Sequence, residues 1–495
     1  MKNYARHCGP PCGRVHRRTF LADVGFGFTG LALGSMLFGD GVARANPLAP
    51  PDGRPHLPPK AKSVIWIFLS GGYSQVETFD PKPALNKYAF KTFDDTPFPN
   101  PLKSPLHDKR SRSVVTMKRD TYATILPLQV GFQKHGQSGI EITDWWPNLA
   151  TCVDDISFVR SMYTTDNDHA AECQIHTGRH RLDETQPSLG AWVHYGLGSL
   201  NENLPTFLFL GDFTNPIVTK DYQADYLGPK HAGIRLSLDP KNPLPFAARG
   251  SDVLAAEQAN EYEFINELNG LSSVEYPRDD ALRARIRSYE LAYRMQMAVP
   301  EALNLANETE ETRRLYGLDD ANTRPAGERL LAARRLAERG VRFNLAYLSN
   351  LGEWDSHQHL KDLHAKCCSK VDKPVAGLLK DLKRRGMWDD VLVVFCTEFG
   401  RTPGFQTNFS GGQKDGRDHH PHGFTIWFAG AGIKRGYVHG ATDELGFHAV
   451  ENEHYVTDIH ATVLNLMGLD PRRLDIPGRK RLEVDYGNAI TDIMV

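Results

Sequence analysis

Three short stretches of the chain concentrate carboxylates and imidazoles more densely than packing requires. Glu353-Trp354-Asp355-Ser356-His357-Gln358-His359 sets one carboxylate and two imidazoles within the five residues from Asp355 to His359. His357 lies two residues after Asp355 and His359 four, and either spacing lets the side chains converge on one metal ion. A polar loop with a helix-capping Asp or Ser is the plainer alternative. Thr397-Glu398-Phe399-Gly400-Arg401 follows an apolar run. A carboxylate at the end of a buried strand is costly unless it is paired, hydrogen-bonded or metal-bound. Either Arg401 simply pairs with Glu398, or Glu398 binds a metal and Arg401 holds an anionic substrate group. Gly416-Arg417-Asp418-His419-His420-Pro421-His422 carries three imidazoles and a carboxylate in its last five residues. One or two of these would suffice as ligands or acid/base groups, and His419 and His420 are the candidates nearest Asp418.

Two further stretches offer less specific chemistry. Asp166-Asn167-Asp168-His169 precedes Glu172, His176 and Thr177-Gly178-Arg179. Asp168 and His169 suit a ligand, a nucleophile or a base, while the same Asx residues also build plain turns. Ser70-Gly71-Gly72-Tyr73-Ser74-Gln75 has glycines that admit a ligand to the backbone and a hydroxyl on Ser74. No Gly-Lys-Ser/Thr follows, so it is not a P-loop.

Each stretch needs an element to position it. Val64–Leu69 is a continuous apolar run of the kind that forms a strand buried on both faces, and similar runs recur at Ile156–Val159, Phe207–Leu210, Phe343–Leu348, Val391–Cys396 and Phe424–Phe428. Helical patterns lie between them: Arg283–Met297, Gly327–Gly340, and Leu360–Leu382 with apolar positions at 360, 363, 367, 371, 378 and 382. Pro374 should kink or split the last of these. Strands alternating with helices imply an α/β fold with a mostly parallel central sheet flanked by helices. The stretch from about 250 to 322 lacks strand signals and reads as a helical insertion or cap. Residues 90–119 are polar and Pro-rich and read as a long surface loop. Trp145-Trp146 reads as core. In open parallel sheets sites gather at the C-terminal ends of the strands, and all but the His419 stretch directly follow such runs.

The N-terminus is an address. Arg17-Arg18-Thr19-Phe20-Leu21, a short Gly-rich apolar region from Val24 to Phe38 and Ala43-Arg44-Ala45 resemble a twin-arginine export signal with its cleavage site. Residues 1–45 are therefore expected to be removed, 46–60 to be a Pro-rich linker and 61–495 to fold as the α/β domain, in the periplasm or outside the cell. Five cysteines remain after such cleavage, an odd number, so at least one stays unpaired. With Lys+Arg 58 against Asp+Glu 60 the chain has no basic footprint for nucleic acid, and no stretch reaches the roughly 20 apolar residues of a membrane span.

Gly71-Gly72-Tyr73-Ser74-Gln75 through Asp80-Pro81-Lys82-Pro83 resembles the opening motif of the domain of unknown function 1501 family. The resemblance continues in order through Tyr293-Arg294-Met295-Gln296, Leu330–Gly340, Trp354-Asp355-Ser356-His357, Thr397–Pro403 and Gly430–Gly436. That family resembles a branch of the alkaline phosphatase and sulfatase superfamily. Pro147–Arg179 is similar to the sulfatase stretch that holds the nucleophile and ends in Thr-Gly-Arg. Val393–Gly400 is similar to the strand that ends in a metal-binding Asp-His-Gly, with Glu398 and Phe399 in those places. Asp458–Gly468 is similar to the closing helix, Asp355 with His357 or His359 to an Asp and His ligand pair, and one of His419, His420 or His422 to a late His ligand.

The departures are as informative. No cysteine of the mature chain begins the Cys/Ser-x-Pro/Ala-x-Arg pattern that formylglycine requires, and the nucleophile slot falls near Asp168 and His169. The first-strand metal Asp is replaced by Ser70-Gly71-Gly72. The resemblance thus implies an alkaline-phosphatase-like fold and a metal-dependent hydrolase of sulfate or phosphate esters, on a small molecule or a polysaccharide, without formylglycine. Asp355, His357 or His359, Glu398 and a late His would hold a divalent ion, zinc or manganese rather than calcium. It would act as Lewis acid or activate water. His169 would move the proton, and Arg401 or Arg179 would hold the anion. The competing expectation is a non-catalytic module that binds a glycan or partner on the same fold.

Overall fold

Val64 to Phe68 are apolar at every position, and the strand they form, β1 (Ser63–Phe68), is buried along its whole length. β3 (Phe207–Leu210), β5 (Phe343–Tyr347), β6 (Val391–Cys396) and β9 (Phe424–Gly430) are likewise buried along their whole length. The computed structural model describes residues 51–110, 122–180, 182–211, 220–238, 255–275, 280–406, 415–476, 478–479 and 481–495. The expected export segment 1–45 and the start of the linker lie outside them. Within the unit formed by Pro51–Leu474 and Lys480–Val495, these strands join β2 (Ile156–Tyr163), β4 (Ile234–Leu236), β10 (Tyr437–His439) and β11 (His454–Tyr455) in a nine-stranded sheet. The order is β10-β2-β9-β6-β1-β5-β3-β4, with β11 also on β2. A separate antiparallel pair joins β7 (Gly400–Phe405) to β8 (Arg417–His420).

β1 pairs in parallel with β5 and β6, β3 with β4 and β5, and β10 and β11 with β2. Only β9 is antiparallel to its neighbours β2 and β6. The sheet is therefore mostly parallel, as the unbroken apolar runs require. The reversal of β9 matters for the site, because its N-terminal flank meets the C-terminal ends of the other strands.

The longer described helices are α1 (Ala171–Thr177), α2 (Leu189–Leu197), α3 (Ala255–Glu275), α4 (Asp280–Leu303), α5 (Arg324–Glu338), α6 (Leu360–Arg384) and α7 (Val456–Leu466). α3 and α4 occupy the stretch without strand signals. Pro374 neither splits α6 nor ends it. The cost of its missing amide, about 3 kcal/mol, is offset by an apolar face (Val371, Val375, Leu378, Leu379, Leu382) that is fully buried around it. Leu363, by contrast, is 39% exposed.

The Pro-rich stretch after Phe90 is more ordered than its composition suggests. It forms short turns at Phe93–Asp95 and Pro101–Lys103 and a helix at Pro105–Arg110. Phe93 and Arg110 are buried. Trp146 is buried and stacks on Trp354 at 6.5 Å. Cys152, Cys173, Cys367, Cys368 and Cys396 are all buried. No described helix is long and apolar enough to cross a membrane.

Candidate metal centre

Four strand ends and one strand start meet at one edge of the sheet. β1 runs into Ser70-Gly71-Gly72, β5 into the loop carrying Asp355 and His357, β6 into Glu398, and β2 into the turn carrying His169. The reversed β9 is preceded by β8, which supplies Asp418 and His419. Gly71 makes this crowding possible. Its φ is +118°, and a Cβ there would sit 2.6 Å from the backbone nitrogens of Trp354 and Asp355. Any side chain would push the β1 and β5 loops apart.

Asp355 is the hub. Its Oδ1 lies 3.0 Å from His357 Nε2 and 3.0 Å from His419 Nε2, and it accepts a hydrogen bond from Arg401 Nη2 at 2.7 Å. Its Oδ2 lies 3.1 Å from His169 Nε2. The other ring nitrogen of His169 lies 3.1 Å from Glu398 Oε1. Glu398 has no exposed surface and accepts from the Gly71 amide and the Thr397 hydroxyl, each at 2.8 Å. Glu172, equally buried, accepts from the Ser70 hydroxyl through Oε1, while its Oε2 has no hydrogen-bond partner among the described residues. Outer contacts fix the rings: His419 Nδ1 lies 2.8 Å from the Asn167 carbonyl, and His357 Nδ1 faces Gln406 and, at 3.6 Å, Asp418.

The electrostatics follow from this crowding. Burial works against the Asp355 charge, but Arg401 and then the hydrogen bonds from His169, His357 and His419 overcome it and hold the carboxyl far below its usual range. Burial also opposes charge on His169, yet its bonds to Asp355 and Glu398 push it up to about 10. Glu172 is pushed well up by burial and by the Glu398 charge. Burial and Arg401 hold His419 well below its usual value. His169 and Glu172 are both pushed up beside crowded carboxylates, a crowding that a bound cation would relieve. The donors fit one: His169 with Asp355 and His419, His357 with Asp418 and His419, and His169 with Glu172 and Glu398 each bring ligand atoms within 4.8 Å of one another.

Of the residues singled out in the sequence, His169, Asp355, His357, Glu398 and His419 come together here. Arg401 lies behind them with no exposed surface. Its guanidinium donates to the carbonyls of Gly71, Gly72 and Arg417 as well as to Asp355. It orients Asp355 and does not face outward to an anion. His359 stands apart: it sits in the left-handed region at φ 52° at the start of α6, half exposed and 3.4 Å from Asp415. His420 points away from the cluster, to the Phe447 carbonyl. Ser74 is buried, with its amide on His364 Nε2 and its hydroxyl on Glu77. Arg179 pairs with Asp485. Asp168 accepts the His169 amide at 2.8 Å and donates its own to Asp166, so it shapes the turn that presents His169.

Glu172 and Asp418 belong to the donor set although neither was chosen as a ligand from the sequence. The available signals were local. Asp418 adjoins His419, and Glu172 lies three residues beyond His169, within reach of one helical turn.

The family model described as "Protein of unknown function (DUF1501)" matches residues 61–494. No curated protein matches the chain. Among solved structures, the chain is similar to the phosphonate monoester hydrolase SpPMH from Silicibacter pomeroyi at 11% identity and a TM-score of 0.38, covering 86% of this chain and 75% of that one. It is similar to the lipoteichoic acid synthase LtaP from Listeria monocytogenes at 10% identity and a TM-score of 0.35, covering 92% and 82%. The PsFucS1 sulfatase from Pseudoalteromonas sp. gives 12% identity, a TM-score of 0.32 and coverage of 88% and 71%.

Proposed function

The chain belongs to the DUF1501 family, and we propose that this member is an exported, metal-dependent hydrolase of sulfate or phosphate esters, carried by small molecules or polysaccharides. The observation that carries the reading is the convergence of Asp355, His357, His419, His169 and the buried Glu398 and Glu172 at the sheet edge. A divalent ion held among these donors would supply Lewis acidity toward the ester oxygens.

The chain's own residues do the rest. Arg401 fixes Asp355 from behind, and Gln406 and Asn167 fix the rings of His357 and His419. His169, one-quarter exposed at the rim, is the group suited to hand a proton to a leaving oxygen. The Ser70 and Thr397 hydroxyls beside the donors are engaged by Glu172 and Glu398; in this reading water is the attacking species and no covalent intermediate forms on the protein. The twin-arginine motif at Arg17-Arg18 supports export of the folded chain to the periplasm or outside the cell.

One observation favours a second reading, a glycan- or partner-binding module. Arg401 and Arg179 are both committed to carboxylates of the protein itself, so neither is free to grip an ester anion. The deciding experiment measures metal content and turnover of aryl phosphate and aryl sulfate in the wild type and in an Asp355→Ala, Glu398→Ala double variant. Hydrolysis is supported by about one tightly held ion and ester turnover in the wild type, both lost in the variant. Turnover unchanged in the variant overturns it, and bound metal without turnover of either ester favours the binding module.

A further inference from the structure

A second pair of histidines lies at the far edge of the sheet, apart from the donors above. β10 ends at His439 and β11 begins at His454, and both lie along β2, with His439 opposite Val159 and His454 opposite Met162. Between them the chain leaves the sheet, forms the antiparallel pair Ala441–Thr442 with Ala449–Glu451, and returns. The two imidazoles close this excursion with their Nε2 atoms 2.9 Å apart.

What lies behind each ring makes the contact unusual. His454 Nδ1 is 2.8 Å from Asp458 Oδ2, a hydrogen bond that fixes the proton on Nδ1 and leaves a lone pair on Nε2. His439 Nδ1 faces Asp492 Oδ2 at 3.8 Å, and a carboxylate there favours a proton on that nitrogen too. With both Nδ1 protons directed at carboxylates, two lone pairs meet at Nε2. A metal ion shared by the two Nε2 atoms satisfies both lone pairs, and the alternative is a single proton on His439 Nε2 donated to His454. Carboxylate-backed imidazoles that converge through their other nitrogens are the arrangement metal-binding histidines adopt.

We propose that His439 and His454 form a second metal site, taking a borderline divalent ion such as Zn2+, Ni2+ or Cu2+, which clamps the 440–453 excursion to the edge of the sheet. The ion bonds to the two Nε2 atoms and displaces any proton they share. Asp458 and Asp492 stay in the outer shell, and water completes the coordination. Access is from the Asp492 side, where that carboxylate is 65% exposed while the His439 ring is only 3% exposed.

The test compares Zn2+ content after dialysis, and Tm with and without added Zn2+, in the full chain and in a His439→Gln, His454→Gln double variant. The expected result is one more ion per chain in the wild type than in the variant, whatever number the Asp355 cluster holds, with a Zn2+-dependent rise in Tm that the variant loses. The Asp492→Asn variant, altered at an exposed position, should fold normally and bind the extra ion about tenfold more weakly. In Cu2+-loaded wild type, electron paramagnetic resonance should show the added ion coupled to two imidazole nitrogens. Equal metal content in wild type and double variant overturns the proposal and leaves a shared proton between the rings. So does unchanged affinity in Asp492→Asn with no Cu2+ signal that the wild type alone displays.

Discussion

Asp418-His419-His420-Pro421-His422 feeds two histidine clusters of opposite character. Neighbouring side chains on a strand point to opposite faces, so β8 sends His419 one way and His420 the other. His419 joins His169 and His357 around the Asp355 carboxylate. His420 and His422 pack with His107, His448 and Phe447, with ring centroids 4.2 to 6.2 Å apart. This second set includes contacts with the carbonyls of Phe447 and Pro101, and the guanidinium of Arg110 donates to the carbonyls of His422 and Ala449. Burial pushes His420 down to about 3 and His448 to about 4. At the first cluster the carboxylates push His169 up instead. Between His169 and His420 or His448, the direction of the shift follows what the ring itself faces, carboxylates for the first and backbone carbonyls for the others.

The sharpest way to break this distinction is to remove the hub charge. In Asp355→Asn the buried Arg401 loses its counter-charge, and breaking such a pair costs about 3 kcal/mol. Urea unfolding of metal-free protein should show a loss of that order, and the metal-loaded form should lose its ion as well. His420→Phe in the second cluster should cost about 1 kcal/mol, the worth of one hydrogen bond, and leave the metal in place. Equal losses from the two substitutions, or loss of metal from His420→Phe, would show that the carboxylates are not what separates the clusters.

This contrast also marks how far the sequence could be read. The runs at Phe207–Leu210 and Val391–Cys396 are strands to the residue, because a strand buried on both faces leaves no alternation to misjudge. β4 and β10, at the sheet edges, have only three residues each and carry no such signal. Within the candidate site, Asp355, Glu398 and His169 were legible because a carboxylate or imidazole just after a buried strand needs a partner. Which imidazole follows them was not legible. His419 and His420 are equivalent in composition and separated only by strand alternation, which the four polar residues Arg417–His420 do not announce. Arg401 was read as an anion holder because its type suits that role, whereas the carbonyls that claim its guanidinium come from Gly71, Gly72 and Arg417. Contacts from such separate segments leave no mark in local spacing. His107 was hidden for the same reason, inside a stretch read as a surface loop.

The neutral cluster makes a pH prediction whose sign is opposite to that of a gained ion pair. His448 titrates near 6.5 in the unfolded chain and at about 4 when folded, because burial disfavours its charge. Above 6.5 both states are neutral and stability is unaffected. As pH falls from 6.5 toward 4 the unfolded chain takes up a proton that the folded chain refuses, and stability drops by up to about 1.4 kcal/mol per pH unit for this one residue. Urea unfolding between pH 7 and 5 should therefore show a shallower acid slope in His448→Gln than in the wild type. Parallel slopes would mean that His448 already carries its proton in the folded state, and the second cluster would then not be neutral core.

The smallest effect is expected at the histidine that the Asp355 stretch brings to neither cluster. His359 faces Asp415 with 52% and 40% of the two side chains exposed, and exposed pairs of this kind contribute about 0–1 kcal/mol. Its left-handed backbone at φ 52° is strained for a residue with a Cβ, so His359→Gly loses a weak pair and gains backbone relief. The two changes oppose each other, and urea unfolding should place the variant within about 1 kcal/mol of the wild type. Its metal content and ester turnover should be unchanged, whereas His357→Gly, two residues earlier and 3.0 Å from Asp355, should lose both. If His359→Gly loses metal instead, the ion draws the start of α6 inward on binding, and the boundary between ligand and bystander histidines would have to be moved by that one turn.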